Sequence, residues 1–121
     1  MSRTVVLVDD HAGFRQEVRR LLQAAGFDVV GEAADAAEGL RAAARTGPDL
    51  ILLDVGLPDG NGLELVSTFR AVSPRARVVL ISSRRQSEYG DRIAASSADA
   101  FVDKVELGRG APAALIELLL G

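Results

Sequence analysis

The chain has 121 residues, no cysteine and a formal net charge of -3 at pH 7. That length suits one domain with one core, and the missing cysteines exclude disulfides and thiolate metal sites. The charge gives no electrostatic reason for nucleic-acid binding, which usually shows as a basic face.

Thr4-Val-Val-Leu-Val8 is a continuous apolar run, as in a strand buried on both faces. It is too short for a signal peptide, and no segment approaches the ~18 apolar residues that a membrane helix requires. A cytoplasmic protein with no membrane partner is expected. Phe14, Val18, Leu21, Leu22 and Ala25 then recur at helical spacing, and Gly26 closes that helix. Phe27-Asp-Val-Val30 reads as a second strand. Ala36, Leu40, Ala43 and Ala44 mark a second helix, stopped by Gly47-Pro48. Leu50-Ile-Leu-Leu53 is a third buried strand, followed by a loop punctuated by Gly56, Pro58, Gly60 and Gly62.

Leu65, Val66, Phe69 and Val72 make a third helix that ends near Ser73-Pro74. Arg77-Val-Val-Leu-Ile81 is a fourth strand. The stretch from Gln86 to Ser97 gives the weakest helical pattern, with Tyr89, Ile93 and Ala94 as its buried face. Ala100-Phe-Val102 is a short fifth strand. Leu115, Ile116, Leu119 and Leu120 give a last helix, with Pro112 suited to its first turn. Alternating strands and helices imply a parallel sheet covered on both faces, and right-handed crossovers make it an open doubly wound sandwich. The expected fold is a flavodoxin-like (βα)5 α/β sandwich, its five-stranded parallel sheet in the order 2-1-3-4-5, as one domain over residues 1–121.

In such sheets ligands sit beyond the carboxyl ends of the strands. Asp9 and Asp10 follow the first strand, Asp54 the third, Ser82 and Ser83 the fourth, and Lys104 the fifth. Any one of these alone reads as a turn residue, a cap or a surface charge. Together they bring three carboxylates, a hydroxyl and an ammonium to one sheet edge. Carboxylates so close need a counter-charge. Mg²⁺ suits them, since it takes few carboxylates and keeps several waters. His11 reads as a solvated loop histidine, and Phe101 as a core aromatic.

On these residues the whole chain resembles a response-regulator receiver domain, the phosphoacceptor half of two-component signalling. Val5-Val-Leu-Val-Asp-Asp-His-Ala-Gly-Phe-Arg15 resembles the opening of the subgroup that usually carries a C-terminal helix-turn-helix. Asp49-Leu-Ile-Leu-Leu-Asp-Val-Gly-Leu-Pro58, then Gly60-Asn-Gly-Leu-Glu64, resembles the family's phosphorylation-site signature. The resemblance implies Asp54 as phosphoacceptor. It implies Mg²⁺ held by Asp9, Asp10, Asp54 and the Gly56 carbonyl, with Lys104 as the lysine beside them. Ser82 would be the switch hydroxyl and Phe101 the aromatic switch position. A histidine kinase or histidine phosphotransfer protein would donate the phosphoryl group. The face built from the fourth helix, fifth strand and last helix would shift to control a downstream protein or output domain, with a homodimer on phosphorylation as a further possibility. No turnover enzyme and no direct nucleic-acid contact by this chain are implied.

Three departures stand out. The family usually has proline after the lysine in a cis peptide, where this chain has Val105. A non-proline cis bond costs roughly 2.5–4 kcal/mol, so a trans Lys104–Val105 bond and an altered loop are expected. The usual Gly-Ala-x-Gly approach to the fifth strand is here Ser97-Ala-Asp-Ala100, which should change that turn. Arg84, two residues past Ser82, reads as surface charge near the expected phosphoryl site. Rival readings fare less well. A haloacid-dehalogenase-type phosphatase needs an acid where Gly56 stands. An FMN carrier would not begin its phosphate loop with Asp9-Asp10. A degenerate receiver acting only as an interaction module stays open.

Overall fold

The structure is a computed structural model that describes residues 3–107 and 109. Its main sheet has five strands, β1 (Arg3–Val8), β2 (Phe27–Ala33), β3 (Leu50–Asp54), β4 (Arg77–Ser82) and β5 (Ala100–Asp103). All pair in parallel, in the order β2-β1-β3-β4-β5, as the sequence led us to expect. Three regular helices cover the sheet, α1 (Ala12–Ala24), α2 (Ala36–Thr46) and α3 (Gly62–Val72). A 3-10 turn (Gln86–Tyr89) and two short helices, α4 (Arg92–Ala95) and α5 (Lys104–Leu107), complete the described chain. The last helix expected around Leu115–Leu120 lies outside the described residues. Among those described, no helix is long and apolar enough to cross a membrane.

The alternation of strand side chains divides the core in two. Val6, Val8, Ile51, Leu53, Val78 and Leu80 face α2 and α3, where Ala42, Ala43, Val66 and Phe69 meet them. Val5, Leu7, Leu50, Leu52, Val79 and Ile81 face α1, where Val18 and Leu22 pack. The central strands are therefore apolar on both faces, and their sequences read as unbroken runs.

The register sets the sheet edge. Val8 lies opposite Leu53, so Asp9 and Asp54 follow side by side. Asp54 pairs with Ile81 and Ser82 with Asp103, so each next strand brings its own polar residue to the same level. Beyond β3 the chain makes a small antiparallel hairpin between Gly56–Leu57 and Gly60–Asn61. Gly62 then packs against the backbone of Asp54, where an added Cβ would clash with the Asp54 carbonyl oxygen. Asp59 accepts hydrogen bonds from Ala36 N at 2.7 Å and Ala37 N at 3.1 Å, which ties this hairpin to the start of α2.

Some details differ from the sequence reading. Val72 is exposed at the end of α3, and Leu63 takes a buried place at its start. Ala44 is exposed, while Ala42 beside it is buried. The fourth helical region is broken at Gly90, whose φ of 56° no helix accommodates. Of its expected face, Tyr89 is buried, Ile93 half-buried and Ala94 exposed. Among the described residues there is no cis peptide, so the Lys104–Val105 bond is trans, as expected.

The turn before β5 keeps a left-handed residue although no glycine is there, since Ser97 has φ 65°. An L-residue in that conformation is strained by roughly 1–2 kcal/mol, part of which glycine's larger unfolded-state entropy would offset. Ser97 is exposed, so little contact is lost on substitution. Ser97→Gly is expected to stabilise the fold by about 0.5–1 kcal/mol. Urea denaturation checks this as a higher midpoint at unchanged slope.

Candidate functional site

At the carboxyl edge the structure brings together Asp9 and Asp54, only 1% and 4% exposed, with Ser82 at 4%. The Lys104 ammonium reaches both acids, at 2.6 Å from Asp9 Oδ2 and 3.5 Å from Asp54 Oδ2. It comes from the first residue of α5, immediately past β5, and sits 4.7 Å from the centre of the Phe14 ring on α1. That cation–π contact and the two ion pairs fix an otherwise flexible side chain. Asp10 is more exposed and lies on the solvent side of the pair. The Gly56 N–H donates to Asp54 Oδ1 at 3.3 Å.

Burial pushes the Asp54 carboxyl above its usual value of 3.8, and the neighbouring Asp9 charge pushes the same way. Lys104 and the Gly56 N–H pull it back, and Asp10 adds a weaker upward push. Two buried carboxylates thus share one ammonium, and the charge is only partly balanced.

The same acids can accept a cation. Oxygens of Asp9, Asp10 and Asp54, together with a ring nitrogen of His11, lie within 4.8 Å of one another. Asp9 Oδ2 is buried, and the Lys104 ammonium at 2.6 Å is the cation that meets it. Hard carboxylate oxygens beside open space fit Mg²⁺.

Beside Asp54 lies a cavity of about 330 Å³ whose lining includes Gly56, Asn61, Ser82, Arg84, Arg92 and Lys104. Ser82 Oγ faces it but makes no hydrogen bond to Asp54 among the described residues. Its partners are the Tyr89 hydroxyl at 2.6 Å and the Arg84 N–H at 3.0 Å. Arg84 is exposed, as read from the sequence. Phe101 does not line this cavity. Its ring packs against Tyr89, with centroids 5.7 Å apart and planes tilted by 58°.

Three neighbours escaped the sequence reading. His11 is exposed, yet its Nδ1 lies 3.2 Å from Asp9 Oδ1 and 3.3 Å from Asp10 Oδ1. Its place directly after two acids was the available signal. Phe14 sits under Lys104, and Tyr89 on Ser82. No local spacing marks either pair, because each is made by packing between distant elements.

A family model described as "Response regulator receiver domain" matches residues 5–110. The virulence-factor transcription regulator BvgA of Bordetella pertussis is 34% identical over 106 residues, which cover 88% of this chain and 51% of that protein. The nitrate/nitrite response regulator NarL of Escherichia coli is 40% identical over 86 residues, 70% of this chain and 40% of that protein. The chain therefore spans about half the length, or less, of these curated relatives. Among solved structures, the signal receiver domain of NarL from Mycobacterium tuberculosis superposes with a TM-score of 0.89 at 30% identity, covering 99% of this chain and 98% of that one. The chemotaxis response regulator CheY4 of Vibrio cholerae gives 0.86 at 27% identity, covering 98% and 99%.

The raised carboxyl of Asp54 has a consequence for stability. The folded form holds its proton to higher pH than the unfolded chain does. Ionised Asp54 therefore destabilises the fold above its folded pKa, and the penalty disappears as pH falls below the ordinary 3.8. Asp54→Asn is expected to raise the unfolding temperature at pH 7, and the gain should shrink steadily as pH is lowered through that window. Thermal unfolding of both proteins from pH 7 to pH 3.5 checks the sign.

Proposed function

As the chain belongs to the response regulator receiver domain family, we propose that it is a switch that accepts a phosphoryl group on Asp54. Receiver domains of this family are signalling switches rather than turnover enzymes, and they bind Mg²⁺ through acidic residues. The observation that carries the assignment is the pairing of Asp54 with Asp9 and Lys104 at the mouth of an open cavity. Asp54 is the one of the three carboxylates that lines that cavity.

In this reading the Asp54 carboxylate attacks the phosphorus of a partner's phosphohistidine. A P–O bond forms as the P–N bond breaks, and the electron pair leaves on the imidazole nitrogen. Such transfer is loose and in-line, so the protein's work is positioning and charge neutralisation. Asp9, Asp10, Asp54 and the Gly56 carbonyl are the proposed holders of Mg²⁺, which when bound neutralises charge on the phosphoryl oxygens. The Lys104 ammonium, already between Asp9 and Asp54, supplies a further positive charge to the transferred group.

Ser82 would then donate a hydrogen bond to the new phosphoryl oxygens, and Phe101 would repack. The proposed donor is a histidine kinase or a histidine phosphotransfer protein. The proposed receivers of the signal are a downstream protein or an output domain, or a second copy of the chain. We place the protein in the cytoplasm, assign residues 1–121 to the one receiver domain, and give this chain no direct contact with nucleic acid.

Intact-mass measurement after incubation with a small phosphodonor tests the central claim. One phosphoryl adduct is expected with Mg²⁺, very little without it, and none in Asp54→Asn. An Mg²⁺-dependent adduct that survives in Asp54→Asn would place the acceptor elsewhere. No adduct at all would leave an interaction-only domain. Ser82→Ala is expected to keep the adduct while weakening partner binding by the phosphorylated form. Equal partner affinity of the phosphorylated wild type and variant would count against the switch role of Ser82.

A further inference from the structure

We infer that Tyr89 is a positioning residue that holds the Ser82 hydroxyl away from Asp54 in the unphosphorylated protein and passes its release to Phe101. The inference rests on the roles proposed above for Asp54 and Ser82, and deepens them.

Ser82 and Tyr89 are both buried, and their oxygens are 2.6 Å apart. A serine hydroxyl has one proton to give and lone pairs to receive. The Arg84 N–H already donates to Ser82 Oγ. The remaining capacity of Ser82 Oγ goes to the Tyr89 hydroxyl, and either oxygen can be the donor in that bond. Ser82 faces the cavity beside Asp54 yet its hydroxyl is bonded to the phenol.

A phosphoryl group on Asp54 changes that competition. Its oxygens are charged acceptors, and such hydrogen bonds are roughly twice as strong as neutral ones. They draw the Ser82 hydroxyl from Tyr89 toward the phosphoryl group. The phenol then loses its buried partner, which is unfavourable unless the ring moves to find another. The ring it presses on is Phe101. Tyr89 stands between the hydroxyl that senses the phosphoryl group and the aromatic that reports it. Its backbone permits the movement, for it ends a single 3-10 turn and is followed by Gly90.

The protein carries its own probe, since it has one tyrosine and no tryptophan. Tyrosine emission therefore reads Tyr89 alone. Beryllofluoride with Mg²⁺ serves as the phosphoryl mimic, and 19F NMR measures its binding independently of the phenol. Wild-type emission is expected to change at saturation. Tyr89→Phe keeps the ring and removes the hydroxyl, so it should bind beryllofluoride about 2- to 10-fold more tightly. In a Ser82→Ala background the same substitution should change affinity by less than about 2-fold, the mark of a coupled pair.

Unchanged or weaker binding by Tyr89→Phe overturns the inference, even if the variant unfolds at a lower temperature. So does an equal effect in both backgrounds, or wild-type emission that ignores saturating ligand. Absence of a bound 19F signal in the wild type sinks the phosphoacceptor reading, and this inference with it. Binding that is indifferent to Tyr89 sinks this inference alone.

Discussion

Two carboxylates, Asp9 and Asp54, are buried side by side and share a single ammonium, that of Lys104. Much of the rest of the architecture serves to make that arrangement possible. Asp9 and Asp54 are neighbours because β1 and β3 are paired in parallel and in a register that ends both strands at one level. An antiparallel partner would carry its own carboxyl end to the opposite edge. Lys104 arrives from the far edge strand and must reach across β4 to meet them. It does so as a half-buried side chain held against the ring of Phe14.

This arrangement is not a stabilising device. Taking two acids out of water costs several kcal/mol per ion, and one nearby cation seldom returns all of it. The upward push on Asp54 is the sign that it does not. What the fold obtains is an edge with spare affinity for positive charge and an acceptor oxygen close to open space. Perturbed carboxylates of this kind cluster at functional sites because chemistry needs groups that structure alone would neutralise. Removing Lys104 would leave both acids buried without that cation, which would destabilise the fold.

Much of this was legible from the chain alone, for a physical reason. A strand buried on both faces must be apolar throughout, so the runs at 4–8, 50–53 and 77–81 stand out. A parallel sheet then delivers whatever follows those runs to one edge, which is how Asp9, Asp54, Ser82 and Lys104 could be grouped. Side-chain pairs between distant elements were not legible. Phe14 beneath Lys104 and Tyr89 on Ser82 depend on how helices settle on the sheet, and neither has a local pattern. The fourth helix was misjudged in the same way. Tyr89 and Ile93 have helical spacing, but the conformation of Gly90 between them ends the helix.

The departures from regular structure are not spread evenly. The broken fourth helix and the left-handed Ser97 lie on the β4–β5 side of the sheet, against one register shift between β1 and β2. The β1–β3 side, which carries Asp9 and Asp54, has the longer helices α1 and α2. Segments that move in switching are drawn from the less stable parts of a fold. A firm acceptor beside a loosely built reporter is the division of labour that the proposed function requires. Magnitudes limit what the contact between Ser82 and Tyr89 can do within it. Exchanging one hydrogen bond is worth about 0.5–1.5 kcal/mol, or up to about 3 when the new partner is charged. Carrying a population from 1:99 to 99:1 takes about 5.5 kcal/mol. The exchange proposed at Ser82 would therefore bias the switch without throwing it. In the proposed switch the remainder would come from the repacking of Phe101 and from the partner, which would make the phosphoryl signal and partner binding thermodynamically one equilibrium.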